Sequence, residues 1–541
     1  MSQLLPHQAG RQLERGTPRA IPYCDAQAPC GFTLGPIYPP ENTKATNPGR
    51  ESAMGCTCSM PSKGIEAYTY LSGPGALEIE LSVPKQSATV KDQRKFGTKT
   101  FEVDAANIKW PLNRRGRFEF KAKKDGRELA SKWVDVDPIT GDVASRSTMD
   151  DTMLETRSIV NKDTITCFGL YEAGSGKAGL PNRHQCYVSV TQNFSGWQGQ
   201  VAPPGSEAEK ERFACLVLPS PHDVGMNSME TMNAILNHAG NAAAKVLTDV
   251  VPSLQRGQDS IAKILCGISQ ATVSKIAPDI IASLSITQKD TLATMLAIGA
   301  RYFEFRPAHC HAKILPHSPL PDKLYFQHGP IPGMAYDQFL GDLVDFLVKN
   351  TSEIAVVHLR WDGVPPECKR PNDEELKTLL DSALMRSKGQ LEAGNLKDLK
   401  EATIADLRKQ KKRLLVFKNA GVLSTYDDVA NATVDGKSML AAFEKKLNVK
   451  SQEKKNFTVA QCQATPTNIK DVIYYSVATA GVSTMALMAT KALCGHLLYP
   501  WLRDEVVKRC KKDQLLVLMD DFVEGAQTDV AVELSKRRLG G

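Results

Sequence analysis

The sequence predicts an α/β fold: a (β/α) barrel of the TIM type with irregularities, preceded by a smaller antiparallel β-sandwich-like domain. Three observations carry this. From residue 213 onward, short apolar runs bounded by Pro or Gly alternate with long helical patterns, as buried parallel strands do when helices cover both their faces. Before residue 205 the runs instead alternate polar and apolar, with turn residues between them. Finally, 541 residues are too many for one ordinary core.

Taken in order, residues 1–50 are rich in Pro, Gly, Arg and Gln without hydrophobic periodicity, and are expected to be a disordered leader. Residues 51–205 form an accessory β-rich domain, with runs such as 76–83 and 117–122 separated by Ser72-Gly73-Pro74-Gly75 and Lys124-Asp125-Gly126. Trp110, Trp133 and Trp197 are read as core or rim residues of this sandwich, ahead of a membrane-inserting aromatic face. Gln200–Gly205 has the composition of a linker.

Residues 206–541 carry the barrel. Its strands are expected at 213–219, 301–306, 324–330, 353–360, 413–418, 457–462 and 514–521, one short of the eight a closed ring needs. Tyr336–Val348 sets Phe339, Leu340, Leu343, Phe346 and Leu347 on one helical face. The uncharged run Val472–Thr490 is rich in hydroxyls and lies between two strands, so a buried helix is preferred to a membrane span.

Composition narrows the class. A hydrophobic fraction of 42% and a charged fraction of 23% are those of a soluble globular protein. The net charge of +7 suits an anionic substrate or peripheral contact with an anionic membrane, and no nucleic-acid partner is expected. The basic clusters 408–413 and 508–512 read as solvated helix faces. Thirteen cysteines, regularly spaced only at Cys56-Thr57-Cys58, signal neither a zinc ribbon nor a disulfide framework; Cys215, Cys266 and Cys494 are read as reduced and core-packed. The first twenty residues lack an apolar signal core, so the chain reads as cytoplasmic, or as secreted if its start lies elsewhere.

In such barrels the carboxyl ends of the strands converge, and here they carry His222, Asp223, Glu304, Arg306, His328, Arg360, Lys418 and Asp521. Two imidazoles and a guanidinium at one mouth point to acid–base work on an anionic phosphate. One ring takes a proton from an attacking hydroxyl and the other gives one to the leaving oxygen. The guanidinium neutralises charge on the non-bridging oxygens. Each residue alone has a structural explanation, such as a Glu304–Arg306 ion pair; their joint occurrence favours the functional one. His309, Cys310, His311 and His317 offer too few well-spaced ligands for zinc and are read as loop residues near the pocket. Met485 and Met488 are read as core packing.

These residues resemble the X domain of phosphatidylinositol-specific phospholipase C and its fungal phosphodiesterase relatives. Pro221-His222-Asp223 is similar to the first histidine motif, Gly299–Arg306 to the second-strand motif, and Gln327-His328-Gly329-Pro330 to the second histidine motif. Ser352-Glu353 with the strand ending in Arg360 resembles the fourth strand, and Asp520-Asp521-Phe522-Val523 the last. The likeness spans roughly residues 212–540.

The resemblance implies cleavage of phosphatidylinositol or a related phosphodiester. His222 would be the base on the inositol 2-hydroxyl, His328 the acid on the departing diacylglycerol oxygen, and Arg306 the phosphate clamp. Asp521 would orient His222 and Asp223 would support His328, with Glu304, Arg360 and Lys418 toward the substrate. Arg306 standing where the calcium-dependent members carry an acid resembles the bacterial, metal-independent form, so no metal or other cofactor is expected. The sequence departs from the bacterial pattern at Glu304, where Asp is usual, and at Arg360, where Lys is usual. Two other classes remain: an idle barrel that binds lipid or glycan, and a metal-dependent phosphodiesterase acting on sphingomyelin or glycerophosphodiesters.

Overall fold

Alternation of apolar and polar side chains builds one sheet and continuous apolarity builds the other. The computed structural model describes residues 64–108, 115–149, 156–173, 181–239, 282, 285–465 and 486–540, all within one compact unit, Ser59–Gly541. The expected leader, Trp110, Cys56, Cys58, Cys266, Met485 and residues 472–485 of the uncharged run lie outside the described residues.

Ten strands come first: β1 (Ile65–Ser72), β2 (Leu77–Val83), β3 (Gln86–Val90), β4 (Gly97–Phe101), β5 (Gly116–Lys124), β6 (Arg127–Val136), β7 (Val143–Ser147), β8 (Ile159–Val160), β9 (Thr164–Tyr171) and β10 (His184–Gln192). They form two five-stranded sheets, ordered β3-β2-β5-β6-β7 and β4-β1-β10-β9-β8; β1 and β10 pair in parallel, so the second sheet is mixed and the expectation of an antiparallel sandwich is corrected there. The first buries alternate residues along β2, as a sheet with one solvated face must. In the second, every residue of β9 is buried, because it has a covered face on each side. One face packs Ile65, Leu71, Phe168 and Val188 against Ile79, Leu81 and Phe120 of the first sheet. The other sets Tyr68, Ile165, Cys167 and Tyr187 among residues of the second half of the chain.

The second half opens with β11 (Val217–Pro221) and β12 (Tyr302–Phe305), followed by three short strands, β13 (Pro307–Ala308), β14 (Tyr325–His328) and β15 (Ile331–Ala335). Then come β16 (Ala355–Leu359), β17 (Ala393–Gly394), β18 (Leu414–Phe417), β19 (Val422–Ser424), β20 (Phe457–Gln461) and β21 (Leu516–Asp520). Apart from the three short ones, these strands pair as β11-β21-β20-β19 and β12-β16-β18-β17, every ladder parallel. The two sheets meet where Arg301 N–H donates to Pro219 O at 3.0 Å. Among the described residues no ladder closes the remaining edge, so the architecture is mixed α/β with several sheets.

The expected third strand, 324–330, is a correction. β14 runs antiparallel between β13 and β15, with Gly329 at φ 58° in the turn. A hairpin therefore stands where a parallel strand was expected. Residues 213–215 form a 3-10 turn ahead of β11.

The helices explain the strand positions. Helix Leu292–Ile298 starts on Thr291, whose hydroxyl accepts from Thr294 N–H, and stops at Gly299 with φ 118°, two residues before Arg301. Helix Tyr336–Lys349 buries the predicted Phe339, Leu340, Leu343 and Leu347, together with Val344. Helix Gly525–Leu539 is buried over most of its length, having the sandwich on one side and β11 on the other. Met488 and Thr490, at the start of helix Ala486–Arg509, are buried. No described helix is long and apolar enough to cross a membrane.

Two basic and aromatic readings also resolve. Within 408–413, Arg413 is buried and donates to the carbonyls of Leu347, Asn350 and Glu353, while Arg408 pairs with Glu209 at 2.8 Å, so part of this cluster is structural. Trp197 is fully buried and its indole N–H donates to Gly299 O. Trp133 lies on the sandwich with the Arg117 guanidinium over its ring at 3.5 Å. The described cysteines are free thiols, Cys215 and Cys494 among them buried.

Candidate active site

Parallel strands end on the same side, so β11 and β21 deliver their last residues together. His222 N–H donates to Asp520 O at 2.8 Å, which locks the two strand ends. Immediately beyond, Asp223 and Phe522 both adopt the left-handed region, with φ 45° and 47°. Asp tolerates that conformation; a buried phenylalanine there is strained, and such strain concentrates at functional sites. Thr287 and Gln288 hold the turn in place. The Thr287 hydroxyl donates to the His222 and Asp223 carbonyls, and the Gln288 amide donates to His222 O and Asp520 O.

The side chains converge on Asp223. Its Oδ1 lies 2.9 Å from Arg306 Nη2 and 3.6 Å from His222 Nε2, and its Oδ2 lies 3.5 Å from His328 Nε2. On its far side His222 meets Asp521, Nδ1 to Oδ1 at 2.9 Å. Among the described residues, both Asp223 oxygens, Arg306 Nε and His328 Nδ1 are buried without a partner in hydrogen-bond geometry. Native proteins tolerate few such atoms, so their gathering here singles out a candidate site.

The electrostatics follow from these neighbours. Burial alone would push the His222 imidazole down, but the Asp223 and Asp521 carboxylates outweigh it and raise it to about 9. His328 is pushed down to about 4 by burial; Asp223 opposes this, while Arg306 and His222 reinforce it. Burial works to raise Asp223, yet Arg306, His222, His328 and Arg360 hold it at about 2. Asp521 is raised to about 6 by burial, partly offset by His222.

Glu304 and Arg360 form a separate pair beside this cluster. Arg360 Nη1 lies 2.6 Å from both Glu304 oxygens, and its Nε lies 2.7 Å from Asp362. The alternative sequence pairing of Glu304 with Arg306 is therefore replaced by Glu304–Arg360, which leaves Arg306 to Asp223. Asp223 likewise bridges both rings and Arg306, where the resemblance gave it to His328 alone. Lys418 is ion-paired with Asp373 on the helix Asp373–Met385, and among the described residues nothing ties it to the cluster.

His309 is held between Asp322 at 2.9 Å and Glu375 at 3.3 Å, and no group of metal ligands occurs among the described residues. Sequence reasoning missed Thr287, Gln288, Asp520 and the buried Lys491, whose Nζ lies 2.6 Å from Asp520 Oδ2. A polar cavity of about 280 Å³ between the sandwich and helix Gly525–Leu539, lined by Arg94, Asp529 and Lys536 among others, contains none of the expected site residues.

No family model matches the chain, and no curated protein matches it. Among solved structures it is similar to phosphatidylinositol-specific phospholipase C from Listeria monocytogenes, at 12% identity and a TM-score of 0.34, over 63% of this chain and 98% of that one. It is also similar to the Staphylococcus aureus phospholipase of the same type, at 10% identity and a TM-score of 0.35, over 64% and 99%. A likeness of this strength assigns no chemistry, which has to come from the side chains.

Proposed function

We propose that this protein cleaves a phosphodiester by paired-imidazole acid–base catalysis, with phosphatidylinositol or a related lipid phosphodiester as substrate. The observation that supports it is one carboxylate, Asp223, within 3.6 Å of two imidazoles and a guanidinium at the ends of three chain segments. A phosphate placed between the rings meets Arg306, whose charge offsets that on the non-bridging oxygens. Holding an attacking hydroxyl in line with the leaving oxygen supplies much of the remaining acceleration.

The charges favour one division of labour. With His222 held above the ordinary imidazole range by its two carboxylates and His328 pushed below it by burial, the resting form with the proton on His222 is favoured over its opposite. In this reading His222 donates to the leaving oxygen and His328 accepts from the attacking hydroxyl, the reverse of the roles that the family resemblance implies. Asp521 keeps the donor charged and oriented.

Release of cyclic inositol phosphate from phosphatidylinositol vesicles, compared across the intact protein, His222→Ala and His328→Ala, tests the reading. Loss of about a hundredfold or more in each variant is expected. Equal turnover in all three ends it and leaves the idle, lipid- or glycan-binding barrel. Full activity in chelator is expected because Arg306 and Arg360 supply the positive charge; loss in chelator restored by a divalent cation favours the metal-dependent alternative instead.

A further inference from the structure

The strand end that carries Asp521 is gripped from behind by a buried ionic network that reaches into the sandwich. Lys491, on helix Ala486–Arg509, is 1% exposed, and its ammonium lies 2.6 Å from Asp520 Oδ2 and 3.4 Å from Glu524 Oε1. The Tyr499 hydroxyl donates to the same Asp520 oxygen. Asp520 Oδ1 accepts from Asp521 N–H at 2.8 Å, and Asp520 O accepts from His222 N–H at 2.8 Å. At the other end, Glu524 Oε2 accepts from the Ser189 hydroxyl of β10 at 2.9 Å. A continuous path thus runs from a sandwich strand through Glu524, Lys491 and Asp520 to both members of the His222–Asp521 pair.

We propose that Lys491 is a positioning residue for the His222–Asp521 pair, and that Glu524 and Ser189 anchor it from the sandwich, making the sandwich a working part of the site.

The physical reason is charge. Two adjacent buried carboxylates, Asp520 and Asp521, repel each other, and a buried charge without a partner is costly. Lys491 neutralises the Asp520 carboxylate, which does not meet the His222 ring, and leaves the Asp521 carboxylate to the imidazole. The groups facing Lys491 are Asp520 from β21, Glu524, Tyr499 from its own helix and Cys462 beyond β20; Tyr187 of β10 lies near Glu524 and Asp520. Those facing His222 are Asp223, Asp521, Arg306 and, across Asp223, His328. A lysine whose only work were packing would leave the imidazole's titration alone. One that sets the local charge shifts it.

The test is the His222 titration in the full-length protein, followed by carbon-13-labelled histidine NMR and assigned by loss of its signal in His222→Gln. Lys491→Met uncovers the Asp520 charge, so the midpoint rises by about half a unit or more. Glu524→Gln leaves Lys491 less compensated, so the midpoint falls. Opposed shifts support the proposal; no shift in either variant, or shifts of one sign, overturn it. Glu524→Gln keeps the side-chain volume and decides alone if Lys491→Met fails to fold: a fall supports, no fall overturns. The catalytic half rests on the function proposed above, and predicts that Lys491→Met lowers kcat about tenfold or more with KM nearly unchanged. The titration needs no turnover. Opposed shifts in a protein that cleaves no phosphodiester sink that function and leave the charge network standing.

Discussion

Asp223 Oδ1 sits 2.9 Å from Arg306 Nη2, so the guanidinium best placed to clamp a phosphate already holds a carboxylate. An incoming anion must share Arg306 with Asp223. Removing that charge in Asp223→Asn is expected to tighten inorganic phosphate binding about tenfold, equivalent to about 1.4 kcal/mol, while lowering turnover. Calorimetric titration of phosphate into both proteins measures it, and equal affinities exclude Arg306 as the anion's partner.

The His222–Asp521 contact of 2.9 Å makes its own prediction. Asp521→Asn removes one of the two carboxylates that hold the imidazole at about 9, so the His222 midpoint falls and the alkaline limb of the rate profile moves to lower pH. Histidine NMR and kcat/KM against pH read the two shifts, and they should agree in sign.

Which ring donates the proton is decided by the leaving group. A leaving group as acidic as a nitrophenol needs no protonation, so an inositol phosphate ester of that kind should restore most of the loss in His222→Ala and little of that in His328→Ala. Rescue of His328→Ala alone restores the roles that the sequence resemblance implied.

Stability should carry the same signature. The folded-state midpoint of His222, about 9, lies above its unfolded value of about 6.5, so its contribution is complete below about 6.5 and is lost as pH rises through about 9. The difference in melting temperature between the intact protein and His222→Gln should therefore shrink over that window.

Arg301 is the structural counterpart. It is fully buried, its Nε lies 2.8 Å from Glu353, and its other nitrogens donate to the carbonyls of Leu296, Ala300, Phe194 and Ser195. Arg301→Met strands the Glu353 charge, which is also fully buried, and should cost about 3–5 kcal/mol in chemical denaturation.

Much of this arrangement is legible in the sequence, for a specific reason. Runs such as Leu516 to Met519 are apolar throughout because helices or neighbouring strands cover both faces, and the reactive residues follow on the strand ends. By that rule His222, Asp223, Arg306 and Asp521 are expected at strand ends, and the structure brings the four side chains together. The same rule misplaced Leu324–Pro330, since the three residues Leu324, Tyr325 and Phe326 read alike in a parallel strand and in a hairpin, although His328 still arrives at the site by the antiparallel route. It also assigned Lys418 to the substrate, while the long side chain turns to Asp373 on a helix. Val422–Ser424 escaped notice because three half-buried residues carry no periodicity. Gln288 and Lys491 were invisible for another reason: their partners are backbone carbonyls and carboxylates far away in the chain, and no local pattern marks such residues.

β21 lies between β11 and β20, in the middle of its sheet, yet it begins about 300 residues after β11 ends. Until translation has passed Asp521, the first histidine has no carboxylate behind it and the strands on either side have no neighbour to bridge them. The proposed site therefore cannot assemble from the chain as far as β20 alone, because the strand that completes its sheet and brings Asp521 to His222 is still missing.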